Sequence, residues 1–384
     1  PRCRRGKRHP WTTILSVLWA GALSATKTLR ELEAFSERMG HRISDTTLWR
    51  ILRRLPTAPL RKLLVQHIRA AWRAKEMVSD LPFSMVAIDG KTIWVGRYKA
   101  NRYGQLQAQG DCARFHMRVL RAVWVSGRCA LTVGQKPIPA HQNEMSTFKA
   151  FFRELLADYG KTEMLQVVSL DAGYISLENA TLVNDAQRGY LIALKNPQKD
   201  LLDEARHFLA RRKKPDAETS WELYRGRRMP RLLFVTEELA GYSGWYLLRQ
   251  VWRVRQETEH EGKLSVEERY FVTNLPVGST RGDIPLKMVR AHWAIENRSN
   301  WTLDTVWAED DRPWAGGALE AVSLLRLMAV NVVTRLRCRR FRSERNRSRP
   351  WRTVLAWISD TLVQEGMEGC MRAPQPTEGV AAFG

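Results

Sequence analysis

Phe83-Ser84-Met85-Val86-Ala87-Ile88-Asp89-Gly90-Lys91-Thr92 is where the pattern of the chain changes. Before it, apolar residues recur at helical spacing; from Phe83 the runs become short and β-like. Phe83–Asp89 reads as a buried strand that ends in a carboxylate, and Leu165–Asp171 reads the same way. Strand ends in an open α/β sheet face the crevice where ligands bind. An Asp there is half-sheltered, and two on neighbouring strands repel unless a cation lies between them. Hard divalent ions such as Mg²⁺ take oxygen ligands, so paired aspartates suit them. Taken singly, each Asp reads better as the cap of the turn that follows it. The pair, in this order of elements, points to a metal site.

Working outward, Val119–Val125 and Cys129–Val133 flank Ser126-Gly127-Arg128 as a hairpin, and Met145–Tyr159 is helical. Ser176–Gln187 is a second helix, Tyr190–Leu194 a strand and Leu201–Arg212 a third helix. The order β-β-β-α-β-α-β-α is that of an RNase H-like domain, an α/β fold with a mixed sheet and helices on both faces. Residues 81–213 thus form the first part of a catalytic core. Residues 214–282 read as a β-rich insertion, with strands at Leu232–Thr236, Trp245–Arg253 and Glu268–Thr273. Helices resume at Ile284–Val306 and Ala318–Arg335, so 283–341 would close the core. The Ser/Arg-rich segment Arg342–Arg349 and the end that follows make 342–384 a basic, flexible tail.

Residues 1–80 read as a helical region. Leu15, Val17, Leu18 and Leu23 share one helix, and Leu29, Leu32 and Phe35 a second that ends near Gly40. Ser44 caps a third, Asp45 to Leu55, with Leu48, Ile51 and Leu52 inward and Trp49, Arg50, Arg53 and Arg54 outward. Helix, short turn, then a helix with an arginine-rich outer face outlines a helix-turn-helix that contacts DNA, although other helical bundles also expose arginines. A fourth helix from Leu60 to about Lys75 leads to the break at Asp80-Leu81-Pro82.

The charge is distributed to match. The 384 residues hold 62 Lys+Arg against 40 Asp+Glu, a net of +22. Residues 1–80 carry 17 Lys+Arg and 6 Asp+Glu, and residues 335–352 carry nine arginines with Glu344 the lone acid. Those two segments account for all but +3 of the excess. Basic ends around a near-neutral centre suit a polyanion gripped at the periphery, with acidic groups free to act in the middle. Solvated charge and a disordered tail would produce the same totals. A composition of 44% apolar and 27% charged residues excludes wholesale disorder, collagen and coiled coil, and the length suggests two or three domains. The longest apolar stretch, Trp11 to Ala25, is broken by Thr12, Thr13, Ser16 and Gly21, too short and too polar for a bilayer span. Five scattered cysteines without a CxxC indicate neither a disulfide framework nor a zinc site, as in a soluble protein of a reducing compartment. The first residue is Pro1, which suggests a missing or processed start.

A third carboxylate should come from a helix over the same crevice. In Val289-Arg290-Ala291-His292-Trp293-Ala294-Ile295-Glu296-Asn297, helical spacing puts His292, Glu296 and Asn300 in one polar stripe with Trp293 beside it. Asp304 and the Glu309-Asp310-Asp311 cluster compete for the role, the cluster reading more readily as a solvated turn before Pro313.

The pieces Ala87-Ile88-Asp89-Gly90-Lys91-Thr92, Leu170-Asp171-Ala172, Gly189-Tyr190-Leu191 with Leu194-Lys195-Asn196-x-Gln198, and His292-Trp293-x-Ile295-Glu296-Asn297 with Trp301-x-Leu303-Asp304 occur in order. Together they resemble the DDE transposases of bacterial insertion sequences, in particular the group of H-repeat-associated proteins. The likeness runs from about Trp11 to Arg340, and Asn143-Glu144 also matches a family position. Asp89 and Asp171 are 82 residues apart, and Asp171 and Glu296 are 125 apart, the longer gap leaving room for the β-rich insertion that such transposases carry. Three places depart from the family pattern: Asn300 stands where His is usual, Gly173-Tyr174-Ile175 follows Asp171-Ala172, and Ile93-Trp94-Val95-Gly96 follows Thr92.

The resemblance implies that Asp89, Asp171 and Glu296 form a catalytic, metal-binding triad. Its cofactor would be two Mg²⁺, with Mn²⁺ able to substitute and Asp89 bridging the ions. Lys91, Lys195, His292 and Trp293 would line the DNA path, and Trp293 could stack on an unpaired base. The reaction would be Mg-dependent cleavage and strand transfer at element ends. Its partners would be double-stranded DNA, as element ends and target, and a second copy in a homodimer, with no membrane. The setting would be cytoplasmic and nucleoid-associated. Two rivals stand beside this reading. One is an inactive, domesticated DNA-binding protein that uses only the helix-turn-helix, and the other is a general RNase H-like nuclease.

Overall fold

The computed structural model describes residues 8–96, 104–109, 112–219, 222–224, 227–245, 247–311, 314, 316–340, 343 and 348–372. Four helices open the chain: α1 (Trp11–Leu23), α2 (Leu29–Arg38), α3 (Asp45–Leu52) and α4 (Thr57–Arg73). Thr28 caps α2, and Ser44 caps α3 as the sequence predicts. The α2–α3 turn is tied on both sides, because Ser36 Oγ accepts from the Ile43 amide and Glu33 accepts from the Asp45 amide. The helix α3 stops at Leu52, one turn short of the expected Leu55.

Next come β1 (Met85–Gly96), β2 (Gly104–Gln109), β3 (Cys112–Trp124) and β4 (Leu131–Pro137), followed by α5 (Glu144–Tyr159), β5 (Val167–Leu170), α6 (Leu177–Asp185), β6 (Gly189–Leu194) and α7 (Lys199–Ala210). The short strands β7 (Ala217–Glu218), β8 (Glu222–Tyr224) and β9 (Arg227–Met229) precede β10 (Arg231–Thr236) and the long pair β11 (Gln250–His260) and β12 (Lys263–Thr273). Then follow α8 (Ile284–His292), α9 (Trp301–Thr305), α10 (Leu319–Arg340) and α11 (Trp351–Arg372).

One mixed sheet runs in the order β2-β3-β1-β5-β6-β12-β11-β10-β7, with β4 also paired to β3. The strand β1 is antiparallel to β3 and parallel to β5, which is parallel to β6. This is a mixed α/β architecture, consistent with an RNase H-like core. The β-rich insertion does not stand apart: β12 pairs antiparallel with β6, so its strands extend the core sheet. The turn at Glu261-Gly262, with φ of 51° and 73°, has both central residues left-handed, which suits the twist of a two-residue hairpin and accounts for the glycine.

Alternation along the strands builds two cores. Val86, Ile88, Val168, Leu170 and Ile192 join Phe148, Phe151 and Phe152 of α5 and the N-terminal helices. Met85, Ala87, Val167 and Leu191 face the other way, against Trp252, Phe271, Met288, Val289 and Ile295. Burial on both faces is why these strands read as continuous apolar runs. The helix α10, packed against α1, α4 and β4, is buried without interruption from Leu319 to Asn331, so the N-terminal helices share its core.

The structure corrects several expectations. The strand β1 does not end at Asp89 but continues to Gly96, because β3 pairs with it over its whole second half. The helix expected over Ile284–Val306 is broken by a π-helical turn, Ile295–Asn300. Within the segment expected to be a flexible tail, α11 buries Val354, Leu355 and Ile358; residues 341–342, 344–347 and 373–384 lie outside the described residues. Cys129 and Cys338 are joined as a disulfide, S–S 1.94 Å, across 209 residues. Spacing could not show that pairing, since it exists only where α10 crosses the β3–β4 turn. Cys3 lies outside the described residues.

Candidate active site

The ladder between β1 and β5 ends at Ile88 opposite Leu170. Asp89 and Asp171 are each the next residue, so parallel register puts them side by side on one sheet face, about one strand spacing (~4.8 Å) apart. They share that face with Ala87 and Ser169, the face covered by α8. Asp89 Oδ1 accepts from the Gly90 amide at 2.8 Å. Asp171 opens a short 3₁₀ turn and its Oδ1 lies 3.7 Å from Lys195 Nζ, with both side chains well exposed. Burial lifts the Asp89 carboxyl to about 7, against the Gly90 hydrogen bond and with help from the charges of Glu296, Glu144 and Asp171.

Glu296 comes to this face from the π-helical turn after α8. His292, the last residue of α8, is buried with Nδ1 3.0 Å from Ser169 Oγ, anchoring the segment to β5. Burial brings this imidazole down to about 4, with Arg269 acting the same way and Asp171 opposing. The wider π turn then breaks the expected stripe. Glu296 is exposed toward the crevice, while His292 and Asn300 are buried. Glu296 is raised by burial and by Asp171, with Arg269 and Lys195 opposing.

The competing acids are already engaged. Asp304 and Asp310 each accept from Lys91 Nζ at 2.7 Å. Burial lowers Lys91, but its hydrogen bonds to these two carboxylates and their charges outweigh that and leave it raised. Glu309 is buried, not solvated, and takes two bonds from Arg121 Nη2 at 2.6 and 2.7 Å. Arg121 stands directly opposite Asp89 on β3 and also donates to Gln135 and Asn300.

The structure therefore brings Asp89, Asp171, Glu296, Lys195 and His292 together. Lys91, two residues beyond Asp89 and so on the same face of β1, is held in a half-buried ion cluster by Asp304 of α9 and Asp310 of the turn beyond instead of lying along the expected DNA path. Trp293 is beside the site, but Arg269 of β12 covers its ring, with Cζ 4.3 Å from the centroid. Trp49, Arg50, Arg53 and Arg54 are exposed on α3 and the turn after it, remote in sequence from the crevice, with Arg53 over Trp49 at 4.6 Å. Sequence reasoning left two site neighbours without a role. Arg269 is an ordinary strand arginine in sequence. Glu144 sits under a helix cap, and its signal was the absence of a side chain at Gly90, whose Cβ would overlap the Glu144 carboxylate.

Among the described residues no three His, Cys, Asp or Glu side chains converge on one point as a finished metal cage. The donor chemistry nevertheless fits a hard divalent cation: Asp89, Asp171 and Glu296 supply carboxylate oxygens, and burial first, then the neighbouring acidic charges, raise the proton affinity of Asp89. No helix among the described residues is long and apolar enough to cross a membrane.

Comparison with known proteins agrees. The chain is 24% identical over 306 residues to "Putative transposase YncI" of Escherichia coli O157:H7, covering 75% of this chain and 70% of that protein. It is 25% identical over 265 residues to "H repeat-associated putative transposase YhhI" of Escherichia coli strain K12, covering 65% of this chain and 64% of that one. The family model for the transposase DDE domain matches residues 81–332, which contain every residue of the acidic crevice. That match covers more than half of the sequence, and the chain belongs to the transposase DDE domain family.

Proposed function

We propose that this chain cuts DNA at the ends of a mobile element and transfers the freed strand to a target, with Asp89, Asp171 and Glu296 as the acidic residues of the site. The observation that carries the reading is the register of β1 and β5, which leaves Asp89 and Asp171 side by side one residue past the last rung, with Glu296 coupled to both. Divalent cations would be held by these three carboxylates; bound there, magnesium or manganese supplies activation of a water and neutralisation of charge on the leaving oxygen.

The other residues have work that does not depend on the ion. Buried His292, neutral and held on Ser169, fixes the segment that carries Glu296. Lys195, exposed beside Asp171, and Arg269, whose charge acts on Glu296, would offer positive charge to the phosphates on either side of the cut. Base stacking on Trp293 requires Arg269 to swing off its ring. Trp49, Arg50, Arg53 and Arg54 would grip duplex DNA from α3, as phosphate contacts that position it. Handling two ends at once calls for at least two copies.

The test is cleavage of a supercoiled plasmid carrying the element's ends, with Mg²⁺ or Mn²⁺, by wild type and Asp89→Ala. Metal-dependent nicking at the ends that disappears in the variant supports the reading. Tight DNA binding with no cutting by either protein would sink it and leave a binding protein only, and cutting without preference for the ends would leave a general nuclease.

A further inference from the structure

Glu144 begins α5 immediately after the Asn143 cap, where an acid ordinarily does no more than complement the positive end of the helix. Its surroundings give it another task. The side chain does not point along the helix axis into solvent but lies over Gly90, the residue after Asp89, so closely that any Cβ there would overlap its Oε1. Its other oxygen, Oε2, lies 4.0 Å from where a Cβ on Gly173 would be, two residues past Asp171. Two glycines, one behind each aspartate, thus line the slot that admits this carboxylate. Tyr174 closes the slot: it is 1% exposed, and its hydroxyl faces the Glu144 carboxylate.

We propose that Glu144 is a fourth acidic residue of the site, reaching the same divalent cation as Asp89 from the α5 side, and that Gly90 provides the room for it. This rests on the reading of Asp89 as a metal-holding residue. The cation affinity of the crevice then depends on an element, α5, that carries none of the other three carboxylates. A β-carbon at position 90 would weaken cation binding by displacing Glu144, leaving every acidic group in the chain.

The experiment is thermal unfolding of the full chain against Mn²⁺ concentration in the absence of DNA. It compares wild type, Glu144→Gln, Glu144→Asp, Gly90→Ala and Asp89→Asn, with Mn²⁺-dependent nicking titrated in parallel. Glu144→Gln should raise the Mn²⁺ concentration for half-maximal stabilisation at least about 10-fold, with a metal-free melting temperature close to wild type. Gly90→Ala should shift it in the same direction, and Glu144→Asp should fall between. Should Gly90→Ala fail to fold, the two Glu144 variants carry the test. A wild-type Mn²⁺ midpoint in Glu144→Gln, beside an Asp89→Asn protein that has lost its response, overturns the proposal and leaves the site reading intact. An Asp89→Asn protein that responds to Mn²⁺ as wild type does would overturn the site reading, and the role of Glu144 with it.

Discussion

Arg121 is the residue on which the closing helices and the sheet depend together. It is fully buried, sits opposite Asp89 on β3, and gives its guanidinium to Glu309, Gln135 and Asn300. Burial alone would raise Glu309, but the charge and hydrogen bonds of Arg121, with Ser323 and Arg326 adding, hold it below the ordinary range. Removing one partner of such a pair strands the other charge. We expect Glu309→Ala to cost about 3–5 kcal/mol in urea unfolding, and Arg121→Met with Glu309→Leu to recover much of that. A single variant within about 1 kcal/mol of wild type would show that the pair does not carry the contact. His67 gives a pH signature away from the site. Burial first, and then Arg335 beside it, hold this imidazole down at about 4, against Glu76. The folded state therefore favours the neutral ring. That stability is present above the ordinary histidine value of about 6.5 and is lost as pH falls from there through about 4. Melting temperature should fall more steeply over that window for wild type than for His67→Asn, which still offers Arg335 an acceptor. Parallel curves would remove His67 as the cause.

Among the elements, β4 shows how a helix finishes a sheet edge. Where the β3–β4 register shifts at Val123, Thr132 keeps a free backbone edge, and Asn331 of α10 meets it with both ends of its amide, accepting from the Thr132 amide at 2.9 Å and donating to the Thr132 carbonyl at 2.8 Å. Asn331→Leu should cost at least about 1–3 kcal/mol by leaving those two groups unpaired in the core, and amide exchange at Thr132 should quicken. Unchanged exchange there would mean that another group covers the edge. Sequence pattern reached most elements at this scale because local signals sufficed, as with Ser44 before α3 and the apolar runs of β1, β5 and β6. It missed the continuation of β1 past Asp89, since nothing in Gly90-Lys91-Thr92 marks a strand until Arg118–Leu120 lie alongside. It also missed the π turn, which turns Glu296 outward while His292 and Asn300 stay buried and has no compositional mark.

Over the whole molecule, the uneven charge gives a prediction that does not depend on cutting. If α3 contributes to gripping DNA, changing Arg50, Arg53 and Arg54 together to Ala should weaken binding to any duplex. The salt dependence should flatten as well, by roughly one unit of slope for each phosphate that is no longer neutralised. An unchanged slope in a fluorescence titration would move the DNA-binding face to the other basic surfaces. What the sequence determined by itself is what short-range physics can write: the strands and helices from their periods, the two aspartates at the ends of apolar runs, the basic ends, and the family motifs around Asp89, Asp171 and Glu296. What only the tertiary structure decided is which charges meet. Lys91 went to Asp304 and Asp310, Glu309 to Arg121, Arg269 to the face of Trp293, and Glu144 to the space beside Asp89 that Gly90 leaves open. Each of these joins residues distant in the chain, and such a partner is set by strand register and helix placement, which no local spacing encodes.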